Sequence, residues 1–330
     1  MADHGCWQHE RVVVTGGAGF IGSHLVEALT REGAEVTVID NLSTGHRDNL
    51  LGVTGKIAFQ ELDIRHAAWP EVLADGYDVI FHLAGNAYVP PSVERPGWDF
   101  QSNLIATFRL VEALREMQWP GRLIYASSAA VYGNPARLPI CEEDPTLPVS
   151  PYGVAKLAAE RYVAVYSQLY GLKGVSLRLF SLYGPRQRKQ VVYDLIEKIV
   201  RNPGELPIYG DGTQVRDFNY VEDTVRAAML VALRSPLRGE VYNVASGREC
   251  SIHELAGTLC GILRVQPRFL YSGSVRPGDA QRWTVNIARL TALGYLPEMS
   301  LEQGLRRTVE WFTTKAPCGR KEGPICKDEW

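Results

Sequence analysis

Val12-Val13-Val14-Thr15-Gly16-Gly17-Ala18-Gly19-Phe20-Ile21-Gly22 is an apolar strand that runs into a glycine-rich turn, and from Ser23 onward the residues take the period of an amphipathic helix. Gly16, Gly19 and Gly22 recur at every third position. The first suits a tight turn. The second lets backbone N–H groups, those of Phe20 and Ile21 among them, reach a pyrophosphate. The third allows helix and strand to pack closely beside the positive helix end. Asp40 closes the next apolar run about 20 residues further on, with Asn41 beside it as a second candidate contact. A carboxylate at that place accepts the hydroxyls of an adenosine ribose and repels a 2′-phosphate, which predicts NAD rather than NADP. Loops use glycine freely, so the glycines alone would be a weak signal. The strand before them, the helix after them and the acid beyond make a dinucleotide site the better reading.

Outward from this stretch, short apolar runs at 11–15, 35–39, 57–62, 79–83, 122–126 and 175–179 read as buried strands, and amphipathic segments at 23–32, 102–117 and 151–170 lie between them. Such alternation predicts an α/β protein with a Rossmann-like, doubly wound parallel sheet. Beyond Phe180, Pro/Gly-rich pieces separate shorter elements, which predicts a second, smaller α/β domain. The expected division is an NAD-binding domain over 1–180 and this second domain over 181–330. Residues 214–246, with a strong helix at 221–233, are expected to pack back on the first domain, and 314–330 read as a flexible tail.

The 330 residues are 45% hydrophobic and 22% charged with a net charge of −2, so nothing draws the chain to nucleic acid or an anionic membrane. No run is apolar enough to span a bilayer and no secretory leader opens the chain, so a cytoplasmic enzyme is expected. The six cysteines, Cys6, Cys141, Cys250, Cys260, Cys318 and Cys326, lack the spacing of a zinc site or a disulfide framework and read as reduced thiols. No metal site is expected. His82, inside the apolar run at 79–84, reads as a hydrogen-bonded core histidine.

Ser150-Pro151-Tyr152-Gly153-Val154-Ala155-Lys156 places an N-cap and an N1 proline at a helix start, with Tyr152 and Lys156 one turn apart on one face. An ammonium beside a phenol, reinforced by the positive nicotinamide of NAD⁺, favours the phenolate and lowers the tyrosine pKa, so Tyr152 is a candidate general base at a hydroxyl whose carbon gives up hydride. A Tyr and a Lys four apart also occur on ordinary helix surfaces. The upstream run Ser127-Ser128-Ala129-Ala130-Val131-Tyr132-Gly133 argues against that reading, because it brings hydroxyls to the carboxyl end of the sheet.

These motifs together resemble the extended short-chain dehydrogenase/reductase family, in its nucleotide-sugar epimerase/dehydratase branch. The likeness also takes in Asp63-Ile64, His82-Leu83-Ala84-Gly85, the run from Arg178 to Arg186, Arg216-Asp217-Phe218, Asn243 to Gly247 and Arg276-Pro277-Gly278-Asp279. The resemblance implies that Ser128 hydrogen-bonds the reacting sugar hydroxyl, that Tyr152 is the base, and that Lys156 holds the nicotinamide ribose. It implies Asp63 and Ile64 at the adenine and Leu83, Ala84 and Gly85 along the middle of the cofactor, with Asn103 holding the fold around it. It puts Arg216 and Arg276 on the substrate pyrophosphate, Asp279 near its nucleoside ribose and Ser181 facing the substrate, where relatives often carry Asn. It also implies a homodimer made by the helices at 102–117 and 151–170.

The positions after Ser128 bear on the reaction. Members that eliminate water across C5–C6 resemble one another in carrying Asp-Glu there, and this chain has Ala129 and Ala130, which can neither donate nor accept a proton. The expectation is an NAD-dependent 4-epimerase of a nucleotide sugar, a UDP-hexose, working through a 4-keto intermediate. A 4,6-dehydratase or a ketosugar reductase is the alternative within enzymes. A non-catalytic NAD-binding protein is the alternative outside them, and the intact Ser128, Tyr152 and Lys156 speak against it.

Overall fold

In the computed structural model, which describes residues 5–273 and 282–315, the near-continuous apolar runs become strands, buried on both faces except at the sheet edge over Ile57–Glu61. The strands are β1 (Arg11–Thr15), β2 (Glu35–Asp40), β3 (Ile57–Glu61), β4 (Val79–His82), β5 (Arg122–Ser128) and β6 (Lys173–Leu179), then β7 (Ser181–Tyr183), β8 (Glu205–Ile208), β9 (Val215–Tyr220), β10 (Arg238–Val244), β11 (Glu249–Ser251) and β12 (Arg268–Tyr271). The helices are α1 (Phe20–Arg31), α2 (Trp69–Val72), α3 (Val89–Glu94), α4 (Pro96–Asp99), α5 (Ala106–Glu116) and α6 (Pro151–Tyr170). They continue as α7 (Gln190–Arg201), α8 (Val221–Arg234), α9 (Ile252–Leu263), α10 (Ala288–Ala292) and α11 (Leu301–Lys315).

Seven strands form one sheet in the order β10-β6-β5-β4-β1-β2-β3, every neighbouring pair parallel. The order reverses between β1 and β4, and a crevice at the carboxyl ends of such a pair is where doubly wound sheets take a ligand. Apolar residues of α1 (Leu25, Val26, Leu29) and α8 (Val225, Val231) close one face of the sheet, and those of α5 (Leu110, Val111, Leu114) and α6 (Ala159, Val163) close the other. β10 joins this sheet and α8 packs beside α1, so the chain after Phe180 returns to the first unit rather than leaving it. The remaining strands form a three-stranded sheet β11-β9-β7 and a pair β12-β8, over a core supplied by α7, α9 and α11.

One helix departs from the expected pattern. The segment read as a helix over 102–117 enters through a π-helical turn, Phe100–Ile105, between α4 and α5. Such turns gather at functional sites because the extra residue re-aims side chains, and here it carries Asn103.

Candidate active site

The glycine turn takes the shape its residues allow. Gly16 has φ +71°, and a Cβ on Gly22 would fall 2.1 Å from the Gly16 carbonyl oxygen, so only glycine lets α1 start this close to β1. No side chain caps α1 at Gly19. The amides of Phe20 and Ile21 therefore open the helix, with its positive end, toward an anion. Asp40 ends β2 nearly buried, its Oδ2 accepting from the Ala18 amide at 3.0 Å and its Oδ1 from the Leu42 amide at 2.8 Å. Burial raises its pKa against those bonds. Asn41 donates through Nδ2 to Asp63 at 3.0 Å, and Arg65 grips the same carboxylate, which lies well below the usual range chiefly through that bond. Ile64 beside it is buried.

At the end of β4 the amides of Leu83 and Ala84 both donate to Thr15 Oγ1 at 3.1 Å. The same hydroxyl meets His82 Nδ1 at 2.8 Å, and His82 Nε2 meets Thr107 at 3.1 Å. Burial holds His82 down to about 3, so it is a neutral, fully bonded core histidine, as its sequence context predicted. Asn103 Oδ1 is buried, has no hydrogen-bond partner among the described residues, and would lie 2.5 Å from a Cβ on Gly85. Gly16 closely approaches the Ala84 backbone and Gly85 closely approaches Asn103, and these residues together with the uncapped helix end fit a dinucleotide.

Ser128 is the last residue of β5, and Ser150 caps α6 by accepting from the Gly153 amide at 3.1 Å. A Cβ on Gly153 would press within 2.6 Å of the Ala130 carbonyl oxygen, so glycine lets the first turn of α6 abut the turn after Ser128. Ser128 thereby lies close enough to the Tyr152 phenol to favour its ionised form. The neighbouring hydroxyl, Ser127, turns away to Glu160 at 2.8 Å. Lys156 Nζ donates to the Ala126 carbonyl at 3.0 Å and lies 5.9 Å from the Tyr152 ring centroid. All three sequence-predicted residues thus meet.

Burial governs their protonation in the protein by itself. Burial pushes Tyr152 up to about 12, against the lowering effect of Ser128, and pushes Lys156 down to about 8. The scaffold alone holds the phenol's proton rather than releasing it, because desolvation penalises both charged forms. A positive ring of bound cofactor is the remaining charge that would favour phenolate.

Ser181 opens β7 two residues after Leu179, which pairs in register with Ser128. Arg216 lies on the adjoining β9, where Ser181 pairs with Phe218, and its Nη1 donates to the Val215 carbonyl at 2.8 Å. Arg276 and Asp279, like Cys318 and Cys326, fall outside the described residues. Among the described residues no cluster of His, Cys, Asp or Glu could hold a metal ion.

Two features were not read from the sequence. One is the buried ion pair of Glu160 and Arg178, at 2.6 Å, which joins α6 to β6. Arg178 reaches on to the Tyr132 hydroxyl at 2.7 Å, and that hydroxyl donates to Asn243 Oδ1 at 2.6 Å. The other is Asp99, fully buried one turn before Asn103, with Oδ1 accepting from Asn86 at 2.7 Å and from Asn103 at 2.8 Å. The spacing of Asp99 to Asn103, in phase with the apolar Ala106 and Leu110, was the available signal for it.

Comparison with known proteins agrees with this geometry. The sequence model of the NAD dependent epimerase/dehydratase family matches residues 12–245. The UDP-glucose 4-epimerase of Mycolicibacterium smegmatis is 35% identical over 317 residues, covering 93% of this chain and 99% of that protein. The dTDP-glucose 4,6-dehydratase of Neisseria meningitidis is 31% identical, covering 92% of this chain and 95% of that one. Among solved structures, the UDP-glucose 4-epimerase of Thermus thermophilus, in complex with NAD, superposes with a TM-score of 0.84 at 35% identity, over 92% of this chain and 99% of that one.

Proposed function

The chain belongs to the NAD dependent epimerase/dehydratase family, and from that premise we propose that it is a nucleotide-sugar 4-epimerase acting on a UDP-hexose. The observation that carries this reading is the meeting of Ser128, Tyr152 and Lys156 beside Ala129 and Ala130, where no side chain can serve an elimination. Tyr152 takes the proton from the C4 hydroxyl and later returns it to the ketone oxygen, with Ser128 bonded to that same oxygen. Lys156 supplies the positive field that stabilises the phenolate. NAD, when bound, supplies the hydride acceptor at C4 and then the donor.

In this reading the cofactor lies on residues 1–180, with 214–246 packed against them, and the sugar nucleotide on 181–330. Gly16, Gly19, Phe20, Ile21 and Gly22 take the pyrophosphate. Asp40 and Asn41 take the adenosine ribose, Asp63 and Ile64 the adenine, and Leu83, Ala84 and Gly85 the middle of the cofactor. Ser181 faces the sugar, Arg216 and Arg276 hold the substrate pyrophosphate, and Asp279 holds its nucleoside ribose. Inversion requires the ketose to turn over while its nucleotide stays bound, so binding energy belongs on the diphosphate.

We assign the enzyme to a homodimer. Val154, Tyr162, Val165 and Leu169 make an exposed apolar stripe along α6, and Phe108 of α5 packs on Tyr162. A cytoplasmic setting accords with Cys6, Cys141, Cys250 and Cys260 being free thiols, and no described helix is long and apolar enough to cross a membrane. Similarity to the Neisseria dehydratase favours a second reading, elimination across C5–C6. Offering UDP-hexoses one at a time and reading the products by NMR tests the assignment. The C4 epimer of one of them, formed without added reductant, is the expected result, and a 4-keto-6-deoxy sugar would reverse it.

A further inference from the structure

Two carboxylates are buried near the helix that carries Tyr152 and Lys156, and they are balanced differently. Glu160, one turn beyond Lys156, faces the Arg178 guanidinium, which donates to it at 2.6 and 3.0 Å. Its charge is met. Asp99, at the end of α4, is held by the neutral amides of Asn86 and Asn103 on Oδ1, and its Oδ2 has no hydrogen-bond partner among the described residues. Lys156 is the converse: a buried ammonium whose hydrogen bond goes to a neutral carbonyl, with no carboxylate of the described residues in ion-pair contact. A buried anion without a cation and a buried cation without an anion therefore lie on helices that pack together, α4 and α6. In a low-dielectric interior such charges act on each other across a gap that water would screen.

We propose that Asp99 is the counter-charge of Lys156, a positioning residue that keeps the lysine an ammonium and opposes ionisation of Tyr152. The other groups facing Lys156 do not fill this part. Tyr125 of β5 offers its ring at 5.2 Å, and burial keeps its phenol protonated. His82 of β4 is neutral, and Tyr152 on α6 itself holds its proton. Among the described residues, Asp99 is the carboxylate whose charge acts on both Lys156 and Tyr152, opposing ionisation of the phenol and loss of the ammonium proton. Removing that charge lowers both, so the working pH range of the pair moves toward acid. The catalytic consequence rests on Tyr152 being the base; the coupling of Asp99 to Lys156 does not.

The test is a pH titration of the full-length protein carrying ¹³Cε-labelled lysine, followed by NMR, with the Lys156 signal identified by its loss in Lys156→Arg. The expected wild-type transition lies near 8. Asp99→Asn keeps the acceptor for Asn86 and Asn103 and removes the charge, and it should lower that transition by about one pH unit or more. Asp99→Glu should leave it within a few tenths of wild type. If Asp99→Asn does not fold, Asp99→Ser serves the same comparison. A transition that stays in place without the charge would reduce Asp99 to a packing role and overturn the proposal. A shifted transition in an enzyme that keeps full activity as Tyr152→Phe would instead uphold the coupling and remove the base assignment.

Discussion

Tyr152 is where sequence and structure meet most closely, and where they differ most usefully. Its place at the second position of a capped helix was legible in Ser150-Pro151-Tyr152, and Lys156 followed from one turn of spacing. Its proton affinity was not legible. Burial pushes the phenol to about 12, whereas spacing shows only the charges expected beside it, the Lys156 ammonium and the nicotinamide of bound NAD⁺. Tyr152→Phe keeps the ring that packs there and removes the ionisable oxygen. Turnover should fall at least about 100-fold, with the thermal midpoint near that of wild type. Ser128→Ala should cost less, since water can replace one hydroxyl in that bond. Steady-state kinetics on the two variants, beside a melting curve for each, check both statements.

Six of the seven strands of the large sheet, β1 to β6, were readable because they centre on apolar runs and the covering helices are periodic, whereas β10, mixed in polarity over Arg238–Val244, was not read as a strand. Strands predicted at 122–126 and 175–179 grew to Arg122–Ser128 and Lys173–Leu179, since pairing with neighbours extends a strand beyond its apolar centre. The small sheets were not readable. β7 has three residues and finds its partner, β9, only after α7 and β8 have intervened, so no local pattern announces it. Separation in sequence also hid the Glu160–Arg178 pair, which knits α6 to β6 and, through Tyr132, to Asn243 of β10. Breaking one side of a buried pair leaves an uncompensated charge. Glu160→Gln should therefore destabilise the fold by roughly 3–5 kcal/mol, measured by denaturant unfolding. A loss under about 1 kcal/mol would mean that the pair behaves like one at the surface.

For the whole molecule, the buried His82 and the half-buried His24 tie stability to acidity. Burial holds His82 at about 3 and His24 at about 4, both from 6.5. Between those values and 6.5 the unfolded chain binds protons that the folded chain does not. Stability should accordingly fall as pH drops through that window, by on the order of 1 kcal/mol per pH unit for each histidine. His82→Gln should flatten the slope, as read from denaturation curves at a series of pH values. The central claim, epimerisation without elimination, is a statement about hydrogens and is tested by following them. The enzyme is supplied with a protiated UDP-hexose in D₂O, and the product is examined by NMR and mass spectrometry. Transfer of hydride from C4 and back again, with Ala129 and Ala130 unable to move a proton at C5, predicts a product inverted at C4, unchanged in mass, with no deuterium on carbon. Deuterium at C5 together with the loss of one water would contradict it and establish the elimination.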